Sequence, residues 1–304
     1  MVRSSARLSL FLLLGRSVSS FQLLVYGLGN VGREVTKEVS KDWIVRGTKR
    51  NPAPDDGIAI PFSDASKYLS DASHVLITIP LTPEIFPIIL KDLSEHLAPS
   101  SGWVGFVSTT GVYGNHDGAW VTEDSPLLCE STALEYVRFE QELMELAAER
   151  DWSAAIFRCA GLYGPDRSAL HTLWKRGIPA VRGAPCFITN RIHETDVARA
   201  IVSAMEKESS GIYNLADDEP EARTVAMDYA VELLRSNGMT LPASTTVPKA
   251  TTASSSKRET RRKNERKLVD NGKMKSELVE NLVYPTYREG LSSILADRSN
   301  PWWN

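Results

Sequence analysis

The segment Gly27-Leu28-Gly29-Asn30-Val31-Gly32 constrains this chain more than any other part of it. It follows a short apolar run, Phe21 to Tyr26, and opens a helical stretch, Arg33 to Ser40, beyond which a second apolar run extends from Trp43 to Val45. Strand, glycine-rich turn, helix and strand in that order are the context in which G-x-G-x-x-G has a physical meaning. Gly27 permits a tight turn, Gly29 carries no side chain to hold a phosphate away from the backbone, and Gly32 lets the helix pack closely on the strand. The helix N-terminus behind them is partly positive and attracts an anion. The expectation is a dinucleotide held on Gly27, Leu28, Gly29, Asn30, Val31 and Gly32.

The pattern repeats along the chain. Apolar runs at Ile58 to Pro61, His74 to Ile79, Val104 to Val107 and Ala154 to Phe157 are separated by helical stretches at Ala65 to Leu69, Pro83 to His96 and Ser131 to Arg150. Such alternation predicts an α/β fold, a Rossmann-type doubly wound parallel sheet with right-handed crossovers. Ligands of such sheets bind beyond the C-terminal strand ends, which makes Thr48, Lys49, Arg50, Ser63, Ile79, Pro80, Ser108, Cys159, Gly161 and Leu162 candidate cofactor contacts. The second run leads into Arg46-Gly47-Thr48-Lys49-Arg50 with no acid among them. An NAD site usually carries Asp or Glu there to bond the ribose hydroxyls. Two cations and the Thr48 hydroxyl suit the 2′-phosphate of NADP instead, so NADP is the expected cofactor and NAD the alternative.

Composition excludes other classes. A formal net charge of −3 gives no basis for nucleic-acid binding, and Cys129, Cys159 and Cys186 are too widely spaced for a disulfide framework or a metal site. No membrane insertion and no metal are expected. The first twenty residues hold Arg3, Arg7, Arg16, six serines and no acid around the apolar run Leu8 to Leu14. They read as a targeting leader, plastid or mitochondrial, or as a disordered extension of a cytoplasmic protein.

The strand-end segments resemble those of a known family. Ser108-Thr109-Thr110-Gly111-Val112-Tyr113-Gly114 is similar to the S-T-x-x-V-Y-G stretch of extended short-chain dehydrogenases/reductases. Arg158 to Pro165 resembles their R-x-x-x-x-Y-G-P, and Arg191 to Ala198 their R-x-H-x-x-D-x-A. Gly211 to Pro220 and Tyr284 to Leu291 resemble the atypical subgroup of NAD(P)-dependent epimerases/dehydratases. The resemblance implies an oxidoreductase or epimerase acting on a carbonyl or hydroxyl group of a small, sugar-like metabolite. It also implies a hydroxyl, here Thr109, and a tyrosine followed four residues on by a lysine.

That pair is missing. No lysine stands between Lys91 and Lys175, and Tyr136 is followed four residues on by Glu140, whose charge would raise the phenol pKa. If Glu140 matches the acid that usually follows the lysine, Tyr136 falls on the lysine position and Thr132 on the tyrosine position. Thr109, Tyr113 and Tyr136 are therefore the catalytic candidates. His193 and Arg191 are either further titratable groups or structural, with Thr195 as the expected helix cap. The alternative function is a catalytically degenerate NADP(H)-binding regulatory or sensor protein.

The expected organisation is a Rossmann domain of residues 21–165 and 191–216. A small substrate lobe of residues 166–190 and 217–304 completes it. Leu241 to Arg266 has almost no large apolar residue and reads as a disordered insertion, its basic end Lys257 to Lys267 as a solvated charge run. The sequence leaves the oligomeric state open.

Overall fold

The computed structural model describes residues 21–53, 56–98, 102–130, 132–176, 188–239 and 266–297. The leader, Cys186 and all but the last residue of the 241–266 insertion lie outside them. The first half of the chain alternates strands and helices: β1 (Gln22–Tyr26), α1 (Asn30–Glu38), β2 (Ile44–Lys49), β3 (Ala59–Pro61), β4 (His74–Ile77), α2 (Ile85–His96) and β5 (Trp103–Thr109). The short β6 (Trp120–Val121), the long α3 (Thr132–Arg150) and β7 (Ser153–Cys159) follow. Beyond them come β8 (Gly161–Tyr163), α4 (Ala169–Arg176), β9 (Ile188–Thr189), β10 (Arg191–His193), α5 (Glu194–Glu206), β11 (Gly211–Leu215), β12 (Glu221–Ala222) and α6 (Arg223–Ser236). The chain closes with β13 (Leu268–Val269), α7 (Gly272–Glu277) and α8 (Tyr287–Ala296). The stretch expected as a helix at Ala65 to Leu69 is a 3-10 helix, Phe62–Tyr68.

Seven strands form one sheet in the order β11-β7-β5-β4-β1-β2-β3, with every neighbouring pair parallel. The order reverses between β1 and β4, and the glycine turn leaves β1 at that point. Both faces of the sheet are covered, which is why its central strands read as continuous apolar runs rather than alternating ones. On one face Leu23 and Val25 of β1 pack with Val31 and Val35 of α1 and with Val197 and Ile201 of α5. On the other, Leu24 and Val75 pack with Ile89 and Leu93 of α2 and with Phe139 and Leu143 of α3.

A third core, built from Leu170 and Leu173 of α4, Ala226 and Ala230 of α6 and Leu291 and Ile294 of α8, forms the small lobe. One boundary drawn from the sequence needs correction. Val269, Met274, Leu278, Val279 and Leu282 belong to the core of the main sheet, not to that lobe. Their burial beside β11 and α5 outweighs the polar stretch that precedes them in the chain.

Candidate functional site

The C-terminal ends of β1, β4, β5 and β7 open into a cleft of about 1100 Å3, which the small lobe bounds on its other side. The glycine turn sets its near wall. Gly27 has φ of +110°, the left-handed region, and a Cβ there would stand 2.3 Å from the Ile79 side chain. A Cβ on Gly32 would lie 2.2 Å from the Gly27 carbonyl oxygen, so glycine alone lets α1 approach β1 this closely. At Gly29 a Cβ would meet nothing within 4 Å, and the space belongs to the cleft. Gly29 is also the N-cap of α1, with no side-chain capping hydrogen bond and no acid in the first turn. An uncapped helix start facing an open cradle fits a pyrophosphate.

Gly29, Asn30, Val31, Ile79, Pro80, Ser108, Cys159, Gly161 and Leu162 all line this cleft, and so do Thr109 and Tyr136. Other expected contacts do not. The Leu28 amide donates to the Thr48 carbonyl at 2.9 Å, and its side chain is buried against Gly47, so Leu28 offers no donor. Thr48 is buried at the end of β2 and does not line the cleft. Ser63 is exposed on the 3-10 helix after β3, away from the cleft lining. Lys49 is ion-paired with Asp56, which the following loop brings to the strand end. Arg33, the residue after the third glycine, reaches the same carboxylate at 4.0 Å, and Arg50 is exposed beside them.

The three catalytic candidates separate. Thr109 ends β5, and its Oγ1 accepts a hydrogen bond from the Gly111 amide at 3.0 Å, leaving the hydroxyl proton for a ligand. Tyr136 stacks on Phe106 with ring centroids 6.0 Å apart and lines the cleft from α3. Tyr113 does not: it is fully buried, its hydroxyl donating to Asn214 Oδ1 at 2.6 Å and accepting from Arg158 Nη1 at 3.0 Å. Burial raises its pKa, and a phenol so bonded cannot donate to substrate. Glu140 turns away from Tyr136 and is held by Arg158 Nη2 at 2.7 Å and by the Ser108 hydroxyl. Its charge is taken up inside the protein rather than set against Tyr136. Arg138 points away from the cleft, paired with Glu135 on the exposed side of α3.

His193, not Thr195, caps α5, its Nδ1 accepting from the Thr195 amide at 3.1 Å. Burial pushes its pKa down to about 4, so it serves the fold as a neutral ring. Arg191 does line the cleft; its guanidinium is anchored on the Thr189 and Glu221 carbonyls and stacks over Tyr287. Among the lining residues that the sequence reading missed are Arg223, Tyr287 and Lys267. Lys267 is buried, against its expected place in a solvated charge run.

Asn30 also links the phosphate turn to Glu194, 3.4 Å from its Nδ2. Burial, then Glu34, raises Glu194 to about 7, and burial raises Asp217 to about 8. Both carboxyls keep protons in the fold that the unfolded chain gives up in acid, so stability falls as pH climbs through these values. Burial holds His74 and His193 near 4, so stability also falls as pH drops below their unfolded value of 6.5. Between about pH 4.5 and 6.5 the two opposed effects cancel, so stability is expected to be level there and to fall by about 2–3 kcal/mol from pH 6.5 to roughly pH 8.5. Urea midpoints across this range measure it, and Asp217→Asn with Glu194→Gln should flatten the alkaline limb. An alkaline limb already flat in the wild type would contradict the assignment.

The reversal of strand order, the glycine turn and the cleft beyond the strand ends define an α/β protein of the Rossmann type. No protein-family profile and no curated protein sequence matches the chain. Solved structures do. A functionally unknown conserved protein from Silicibacter pomeroyi is similar at 29% identity and a TM-score of 0.71, over 91% of this chain and 99% of that one. The dTDP-glucose 4,6-dehydratase of Bacillus anthracis, in complex with NAD, is similar at 16% identity and a TM-score of 0.68, over 93% and 98% of the two chains. The UDP-glucuronic acid 4-epimerase of Bacillus cereus, also with NAD, is similar at 17% and 0.64, over 90% and 96%. The chain shares the fold of these dehydratase and epimerase structures.

Proposed function

We propose that this protein is an NADP-dependent oxidoreductase or epimerase of the short-chain dehydrogenase/reductase type, acting on a carbonyl or hydroxyl group of a small, sugar-like metabolite. The observation that carries the reading is one cleft shared by the uncapped start of α1, the Thr109 hydroxyl and the Tyr136 phenol. The NAD held by the dehydratase and the epimerase of the same fold supports a nicotinamide cofactor. NADP is favoured by three cations, Arg33 of α1 with Lys49 and Arg50 at the end of β2, against the single carboxylate of Asp56. A 2′-phosphate replaces that carboxylate as their counter-charge.

When bound, the nicotinamide supplies or takes up a hydride. Thr109 donates its hydroxyl proton to the substrate oxygen and orients the carbonyl. Tyr136 holds the phenol that exchanges a proton with that oxygen. The buried Ser108–Glu140–Arg158 group fixes the end of β5 and the register of α3 behind them.

A metabolite screen following NADPH absorbance tests this. Thr109→Val should lower kcat by about 10²- to 10³-fold while NADPH affinity holds. Arg50→Ala should weaken NADPH by about 1.5–3 kcal/mol and leave NADH nearly unchanged; equal wild-type affinity for the two would remove the NADP assignment. The absence of a lysine after Tyr136 favours a second reading, a protein that senses NADP(H) without hydride chemistry. NADPH binding with no turnover across a broad carbonyl panel would establish it.

A further inference from the structure

A buried carboxyl stands behind the glycine turn and takes no part in the chemistry above. Glu194 is the first residue of α5 and is 7% exposed. Its carboxyl lies in the room left by Gly164, where a Cβ would stand 2.1 Å from the Glu194 carboxyl carbon. A hydrogen bond reaches it across 164 positions of sequence: Asn30 Nδ2 donates to Glu194 Oε2 at 3.4 Å. Asn30 is the first residue of α1, next to the uncapped Gly29, and it lines the cleft. One side chain therefore stands between the buried carboxyl and the cradle for a pyrophosphate.

The charges around that carboxyl are mostly of its own sign. Glu34 of α1 and Asp166, between β8 and α4, face it as like charges, and Lys37 of α1 faces it as the opposite one. Lys37 is itself paired with Glu34. On α5, Asp196 is held by the Val283 and Tyr284 amides and by Arg199. Among the described residues no salt bridge joins Glu194 to a cation. The partly positive start of α5 favours a charged carboxylate, but burial and the like charges outweigh it, and the group titrates at about 7. A carboxylate withdrawn from water without a paired cation is costly. A pyrophosphate arriving at the start of α1 adds negative charge on the far side of Asn30, and a nearby like charge favours the neutral acid further.

We propose that Glu194 is a positioning residue for the dinucleotide, acting through Asn30 and taking up one proton from solvent as the pyrophosphate binds. Neutral, its carbonyl oxygen still accepts from Asn30 Nδ2 and sets no anion behind the phosphates. Charged, it opposes them. Dinucleotide affinity is then highest on the acid side, falls as pH rises through the free protein's value of about 7, and levels off above the higher value of the bound protein. The proposal rests on the function above in seating the dinucleotide on the glycine turn.

Calorimetric titration with NADPH in two buffers of different ionisation enthalpy counts the protons taken up. At pH 7.5 the wild type should take up about half a proton per NADPH, and its affinity should fall about fivefold from pH 6.5 to 8.5. Glu194→Gln keeps an acceptor for Asn30 and cannot titrate. Its affinity should match the wild type at about pH 6 and exceed it about fivefold at pH 8.5. The difference between the two proteins separates this carboxyl from the 2′-phosphate and from Asp217, which titrate in the same range. A purely structural role would change affinity by the same factor at every pH, and that result would overturn the proposal, as would equal proton uptake in the two proteins. If Glu194→Gln fails to fold, wild type and Asp217→Asn decide. Uptake kept in both supports the proposal; no uptake in the wild type, or its loss in Asp217→Asn, overturns it. NADPH bound without a pH-dependent difference removes this proposal alone, whereas no NADPH binding at any pH removes the cofactor assignment and this proposal with it.

Discussion

A Gly29→Val protein should fold and melt like the wild type yet bind a dinucleotide at least about 100-fold more weakly. The backbone at Gly29 is extended, with φ of −78° and ψ of −163°, a conformation valine adopts without strain. Its Cβ would meet no protein atom within 4 Å, so nothing in the fold resists the side chain. The branched methyls would instead fill the cradle in front of the α1 amides. Forcing a ligand past them carries an overpacking cost of about 1–3 kcal/mol and loses the amide contacts as well. Together these imply a fall in affinity of at least about 100-fold, which calorimetry with NADPH would read. Gly32→Ala is the informative contrast: its Cβ would sit 2.2 Å from the Gly27 carbonyl oxygen, so that variant should lose stability first. Undiminished NADPH affinity in folded Gly29→Val would remove the phosphate-binding assignment of the turn.

The second large effect concerns stability. Arg158 and Glu140 are both buried, bonded at 2.7 and 3.1 Å, and Arg158 also bonds the Tyr113 hydroxyl and the Glu123 carbonyl. Arg158→Met leaves the Glu140 carboxylate without its cation in the interior. A loss of about 3–5 kcal/mol in urea unfolding is expected, because an uncompensated buried charge costs more than the pair contributes. Adding Glu140→Leu to Arg158→Met removes the stranded charge and should recover much of that loss. A single variant within about 1 kcal/mol of wild type would mean that water reaches Glu140 and that the group does not fix α3.

The parts of the fold written in local pattern were legible in the sequence. The glycine turn, the apolar runs of β1, β4, β5 and β7 and the return strand β11 each follow from a few adjacent residues. Thr109 reached the cleft because a strand end in a parallel sheet has one place to go. What failed depended on contacts between distant segments. Tyr113 and Tyr136 look alike in sequence, but the first is claimed by Asn214, 101 positions away, and by Arg158. No acid lies among Arg46 to Arg50, yet Asp56, seven residues after Lys49, is paired with it. Lys267 ends a run of Lys and Arg whose composition says solvent, while its own place is set by Asn190 and the β6 pairing. No local rule reveals which member of a charge run is withdrawn from water.

The return of residues 268–282 to the main sheet has a consequence for the way the protein is made. Met274, Leu278 and Val279 fill the face of the sheet that also holds Leu23, Val25 and Tyr213. Those residues leave the ribosome long after the glycine turn and the strands it joins. Through most of synthesis that face is short of its last apolar contributors, and α8, which completes the small lobe, emerges later still. The nascent chain therefore cannot lock its first half as a finished unit and build the second half on it. Its native core closes only once residues 268–282 have been made and can pack beside the first strand.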